Sequence, residues 1–228
     1  MKSALVVAAH PDDEVLGCGG TIARLSHEGW KVHVLILAEG VTSRAEKRDV
    51  DANLTELSSL AKCAEEANKI LGAASVDLLS LPDNRMDSIE LLDIVKIIEK
   101  YILNYKPSLL FTHHAGDVNI DHRVLHEAVI VASRPQPNQC VKKLLFFEVP
   151  SSTEWRPASS GIYFQPNYFY DVSIYLSKKI AALAVYDQEM RNFPHPRSKD
   201  AVTHLACWRG ASIGFKAAEA FMLGRCIV

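Results

Sequence analysis

The chain has 228 residues, 48% of them hydrophobic and 23% charged, the balance of a soluble folded protein whose core needs no disulfide or structural metal to hold it. A net charge of −2 offers no footprint for nucleic acid or an anionic membrane, and 11 glycines and 10 prolines without a low-complexity tract exclude disorder. Cys18, Cys63, Cys140, Cys207 and Cys226 are odd in number, widely spread and lack a C-x-x-C pair, which fits reduced thiols in a cytoplasmic protein.

Residues 5–9 form a short apolar run, too short for a signal-peptide core and followed at once by His10-Pro11-Asp12-Asp13-Glu14, so they read as a buried strand. A turn and a helix over 19–28 follow, then a second strand over 32–37. Residues 44–71 read as mostly helical, closed by Gly72, with mobile loop as the alternative for the charged start, whose residues 44–51 read as a solvated face or flexible lid. A third strand covers 76–81, a helix capped by Ser88 runs to about residue 104, and a fourth strand covers 108–112. A helix starting near His122 stops before Arg134-Pro135. Strands over 144–149 and 168–172 flank a Pro/Ser/Gly-rich aromatic segment, and helices over 176–191 and 199–215 complete the chain. The β-α-β-α order predicts a mostly parallel sheet with helices on both faces. No linker or repeat interrupts it, so residues 1–228 read as one domain, and no stretch approaches the ~18 apolar residues of a membrane span.

In an open parallel sheet, ligands bind beyond the carboxyl ends of the strands. Three segments lie there: 10–14, 82–85, and 113–123. Together they hold His10, His113, His114, His122 and five aspartates. Histidine and carboxylate suit zinc, whose catalytic sites keep three protein ligands and one open position. A tight turn can aim His10 and Asp13 at one ion and turn Asp12 elsewhere, free to take a proton from water. His122 is the best-placed third ligand, and Asp121 can hold a ligand imidazole in its tautomer. The opposing reading is structural, because adjacent aspartates often only cap a helix. His113 and His114 alternate in direction, so one of them can face the site. Asp117 suits a loop cap or a sugar hydroxyl, and Asp83 a ligand histidine or the turn after Pro82. His27, His33, His126 and His204 read as structural, and Cys18 as a small packing residue. Gly17-x-Gly19-Gly20 lacks the full dinucleotide-binding spacing. Trp155, Tyr163 and Phe164 suit sugar stacking or loop packing equally.

Ala9-His10-Pro11-Asp12-Asp13-Glu14, continuing through Gly17-Cys18-Gly19-Gly20-Thr21, resembles the signature of the LmbE/PIG-L family of zinc-dependent N-acetylglucosaminyl deacetylases. The segment 113–123 resembles that family's second motif, and Ala218-Glu219-Ala220-Phe221 its C-terminal one. The resemblance implies a Rossmann-like three-layer α/β sandwich, Zn2+ (or Fe2+) on His10, Asp13 and His122, and Asp12 as the general base of metal-assisted amide hydrolysis. It implies as substrate a small-molecule amino-sugar conjugate whose aglycone is open, as is a homo-oligomeric state. Many members carry His-Pro-Asp-His, whose first histidine polarises the substrate carbonyl. This chain has Asn119-Ile120-Asp121-His122, which passes that role to Asn119 or to another group such as His195. Some members place an arginine near Leu60, and Arg44 or Arg48 is the substitute here. The rival readings are a magnesium-dependent phosphoryl-transfer domain and a non-catalytic carbohydrate-binding protein.

Overall fold

Strands buried on both faces must be apolar at successive positions, which is why residues 4–9 read as an unbroken hydrophobic run and residues 32–38 as one interrupted only by His33. The computed structural model describes residues 2–44, 46–157, 159 and 161–228. Ala45 of the charged stretch and Ala158 and Ser160 of the aromatic segment therefore lie outside the described residues. Strands β1 (Ser3–Ala8), β2 (Lys31–Ala38), β3 (Ser75–Leu81), β4 (Leu109–His113), β5 (Lys143–Phe147), β6 (Tyr168–Asp171) and β7 (Ala218–Cys226) form one sheet in the order β3-β2-β1-β4-β5-β7-β6. The first five in that order are parallel, and β7 runs antiparallel to both β5 and β6.

Helices α1 (Asp13–His27), α2 (Leu54–Leu71) and α5 (Leu176–Val185) cover one face, and α3 (Leu91–Tyr105) and α4 (Ile120–Ala132) the other. Along β1, Ala4, Val6 and Ala8 enter the first core while Leu5 and Val7 enter the second, as the period of two requires. The first helix α6 (Lys199–Ala211) packs against is α5, and it also rests on β7. The chain moves outward from β1 to β2 and β3, then returns to place β4 on β1's other side. That reversal opens a crevice between the carboxyl ends of β1 and β4.

Several expected boundaries shift. The first helix begins at Asp13, well before residue 19, because the chain turns at Asp12 and Gly17 is a packing residue: a side chain there would run into the Phe147 ring. Thr42–Arg44 and Asp51–Asn53 are short 3-10 turns, 46–50 are loop, and α2 starts only at Leu54, while Gly72 closes it in the left-handed region as expected. Ser88 does not cap α3, since its hydroxyl donates to the Arg85 carbonyl within a 3-10 turn. The last two helices end earlier than expected, at Val185 and Ala211. Strand β7 was absent from the expectation altogether.

Candidate metal centre

The turn after β1 is tight. Asp12 adopts φ 114°, a conformation costly for a residue with a side chain and most often found where function depends on it. Its carbonyl accepts from Val15 and Leu16, so the helix starts without a spacer. The turn sends the Asp12 and Asp13 carboxylates in different directions. Gly40 supports it from β2's end, at φ +82°, where a Cβ would lie 2.8 Å from the Pro11 ring.

From the other side of the crevice comes the start of α4. Asn119 caps it, accepting from the N–H of Asp121 at 2.8 Å and of His122 at 3.4 Å, which fixes the direction in which both side chains leave the helix.

Three atoms converge between these elements. His10 Nδ1 lies 3.2 Å from Asp13 Oδ2, His122 Nε2 lies 3.2 Å from the same oxygen, and the two ring nitrogens are 3.4 Å apart. A tetrahedral ion with nitrogen and oxygen bonds of about 2.0–2.1 Å needs donors roughly 3.3–3.4 Å apart, so the triangle fits such an ion. The far nitrogens of both rings face buried carboxylates. His10 Nε2 is 2.9 Å from Asp121 Oδ2 and 3.3 Å from Asp83 Oδ1, and His122 Nδ1 is 3.2 Å from Asp117 Oδ2. Carboxylates so placed favour the proton on the outer nitrogen of each ring, which leaves the inner lone pair free for an ion.

The carboxylates are themselves anchored. Asp121 accepts from the N–H groups of Asn84 at 2.7 Å and Met86 at 2.9 Å. Asp117 accepts from Thr153 Oγ1 at 2.7 Å and from the Ser152 hydroxyl. The field they create is negative. Burial opposes charge on His122, yet Asp13 and Asp117 more than offset it and raise its pKa to about 9. A site that pulls protons onto its imidazoles also favours a divalent cation.

Asp12 and Asp13 are driven apart. Burial pushes the Asp13 carboxyl up, but His122, His10 and His113 together hold it well below the usual range. For Asp12, burial and the neighbouring Asp13 both push upward and Arg197 only partly opposes them, so its pKa is well raised. Adjacent carboxylates with opposite shifts are the pattern of one ligand and one proton carrier. Both line a cleft of about 200 Å³. Its far wall comes from the C-terminal half: Arg197 Nη1 donates to Asp12 Oδ2 at 3.1 Å and lies 3.8 Å from Glu189, which accepts from Arg44 at 2.5 Å.

A family profile described as GlcNAc-PI de-N-acetylase, PIG-L, matches residues 5–133, which span the triangle and Asp12. The chain belongs to the PIG-L family. It is 29% identical over 194 residues to the uncharacterized deacetylase YaiS of Escherichia coli K12, covering 80% of this chain and 89% of that protein. It is 27% identical over 234 residues to the diacetylchitobiose deacetylase of Thermococcus kodakarensis, covering 96% and 82%. Among solved structures, GalB, the 4-carboxy-2-hydroxymuconate hydratase of Pseudomonas putida KT2440, superposes with a TM-score of 0.78 at 25% identity, over 100% of this chain and 98% of that one. The chain's relatives thus include named deacetylases, and a hydratase shares its fold.

The structure brings His10, Asp12, Asp13, Asn119, Asp121, His122 and Arg44 together at or beneath this cleft. Arg48 goes elsewhere: it makes a bidentate pair with Glu39 at 2.8 and 2.9 Å and also donates to the Ser80 carbonyl. His195 is not among the described residues lining the cleft, and its Nδ1 accepts from the Arg197 N–H at 3.0 Å. Asn119 uses Oδ1 as the helix cap and donates from Nδ2 to Asn84. Of the paired histidines, His113 is buried and accepts from the Ala9 N–H through Nε2, while His114 packs edge-on against Phe164. Trp155 and Tyr163 are exposed. Sequence reasoning missed Asp117 as the partner of His122, and Arg197 and Glu189 entirely. The one signal for Arg197 was its place in the same Pro-rich segment as His195.

Proposed function

We propose that this protein is a metal-dependent N-deacetylase that hydrolyses the acetamide of an N-acetylglucosamine-type conjugate, with Zn2+ or Fe2+ on His10, Asp13 and His122. The observation that carries the reading is the donor triangle with Asp12 beside it in one cleft: a three-ligand site next to a separate, upshifted carboxylate. A divalent cation held there supplies Lewis acidity, acidifying water and polarising an amide carbonyl. Asp12 accepts the proton of the attacking water and returns it to the leaving amine, and a raised pKa suits both transfers. Asp121 and Asp117 keep the two imidazoles in the tautomers that present lone pairs inward.

Two imidazoles in the donor set disfavour magnesium and the phosphoryl-transfer reading with it. A binding-only protein has no need of an upshifted carboxylate beside a complete ligand set. The likeness to GalB supports a second reading, water addition to a carbon–carbon double bond, which releases no amine. Five unpaired cysteines support a cytoplasmic setting, and no helix among the described residues is long and apolar enough to cross a membrane.

Elemental analysis with amine release from a panel of N-acetylglucosamine conjugates tests the reading. The expected result is about one zinc or iron per chain, released amine, and loss of both in His122→Ala. Bound metal with no amine released from any conjugate overturns the deacetylase reading in favour of the hydratase one. Absence of metal after reconstitution overturns both.

A further inference from the structure

Hydrolysis of an amide passes through a tetrahedral oxyanion, and the largest catalytic contribution usually comes from a donor fixed in place before charge develops. Four other polar side chains in or near the cleft are less well placed for that task. The Asn119 amide is engaged at both ends. His195 faces a backbone N–H and packs edge-on against Trp155. Arg44 is paired with Glu189 and its side chain is 48% exposed. Arg191 is exposed and donates to the carbonyls of Gln188 and Met190.

Arg197 is different. Its Nη1 meets the Asp12 carboxylate at 3.1 Å, and its Nε donates to Ser151 Oγ at 3.0 Å. Ser151 is itself held at φ 72° by a hydrogen bond from its N–H to Glu154. The Arg197 backbone is fixed on both sides, its N–H by His195 and its carbonyl by the Arg191 N–H, directly before Ser198 caps α6. A long flexible side chain is thereby fixed along its length, with Nη2 making no hydrogen bond among the described residues. It is a cation aimed into the cleft beside the group that handles the proton.

We propose that Arg197 is a further catalytic residue, donating to the acyl oxygen as it becomes an oxyanion while it steadies Asp12. The role rests on the deacetylase reading. As the water oxygen bonds to the acyl carbon, its proton passes to Asp12 and the carbonyl π pair moves onto the oxygen that Arg197 faces. When that pair returns, the C–N bond breaks and the proton on Asp12 goes to the amine nitrogen.

The test is Arg197→Gln, with Arg197→Lys beside it, in the metal-loaded enzyme. Arg197→Gln is expected to lower kcat by about 10²–10³-fold, the loss typical of one oxyanion donor, with metal content unchanged and KM moved by no more than about threefold. Arg197→Lys keeps the charge but not the planar fork, and falls between. Binding supplies a readout free of turnover. A tetrahedral methylphosphonamide of glucosamine weakens by about the same factor as kcat/KM, whereas the deacetylated amino sugar binds as before. An active wild type whose Arg197→Gln variant retains more than about a tenth of kcat, or loses only substrate affinity, overturns the role and leaves the deacetylase standing. A metal-loaded wild type that releases no amine overturns the deacetylase reading and this role with it.

Discussion

Residues 3–147 and residues 148–228 contribute to the cleft in different ways. The first part lays down five parallel strands, and every candidate metal ligand leaves the carboxyl end of one of them or the helix just beyond. The second part supplies no member of the donor triangle. It reaches back across great sequence distances to hold what the first part presents: Arg197 to Asp12 over 185 residues, Tyr186 to Glu14 over 172, and Glu219 to Gly20 over 199. Strand ends thus carry the candidate ligands and the carboxylates that orient them, while remote chain braces Asp12, Glu14 and the first helix. The two parts differ in what a substitution should cost: metal is lost only from the first, while turnover draws on both through Asp12 and Arg197.

The largest expected effect lies in the first part. Asp12→Asn removes the proposed proton acceptor and leaves the donor triangle intact, so kcat should fall about 10²–10⁴-fold at unchanged metal content, read from steady-state kinetics beside elemental analysis. Equal loss of metal and turnover would place Asp12 among the ligands and erase the division drawn here.

Next comes the deepest tie of the second part. Glu219 accepts from the mid-helix N–H groups of Gly20 and Thr21 at 2.9 and 2.6 Å, and from Lys179 at 2.6 Å, while Lys179 also donates to the Leu16 carbonyl. A buried ion pair thus stands where the i to i−4 bond of α1 would run. Glu219→Gln leaves the buried Lys179 charge without its partner, and denaturant unfolding should show a loss of about 3–5 kcal/mol. Metal content per folded chain should not change. A loss below about 1 kcal/mol would show that the pair is solvated enough to matter little.

The same division explains what could be read from the sequence. His10, Asp12 and Asp13 stood out as candidates because they directly follow an unmistakable apolar strand, and His122 because it opens the helix beyond β4; the structure brings all four to one cleft. Asp121, expected to hold a ligand imidazole, faces His10 across the crevice rather than its neighbour His122, a pairing its place in the sequence does not show. Strand β7 was not legible: Ala218-Glu219-Ala220 is a weak strand former, and antiparallel pairing with β5 and β6 decides its conformation. Nor could Arg197 be found, since its approach to Asp12 depends on where α6 packs, a tertiary fact with no local pattern. Arg48 is spent on Glu39, which directly follows β2 and is reached from the loop nine residues on, and Ser88 is held in a tighter turn instead of capping α3.

A smaller effect tests the support of the ligands. Asp121 takes three donors on two oxygens: the N–H groups of Asn84 and Met86 and the outer nitrogen of His10. Asp121→Asn converts one acceptor into a donor, which must then face another donor. Metal affinity should fall by about 10–100-fold in a chelator competition, with the protein still folded. An unchanged affinity would mean that Asp83, at 3.3 Å from the same nitrogen, suffices to orient His10.

The finest distinction comes from two helix caps of the same kind, one in each part. Asn119 caps α4 and Ser198 caps α6 through side-chain oxygens that accept backbone N–H groups, so Asn119→Ala and Ser198→Ala should each cost about 1 kcal/mol in thermal unfolding. Their second readouts should diverge. The N–H groups that Asn119 holds belong to Asp121 and His122, so its loss loosens a ligand and the carboxylate behind another ligand, and metal affinity should drop measurably. Ser198 follows Arg197, so its loss should leave metal affinity alone and lower kcat by letting the guanidinium wander from Asp12. Equal effects on both readouts would mean that the cleft responds as one cooperative unit, and that the separation of reactive strand ends from remote supports has no energetic content.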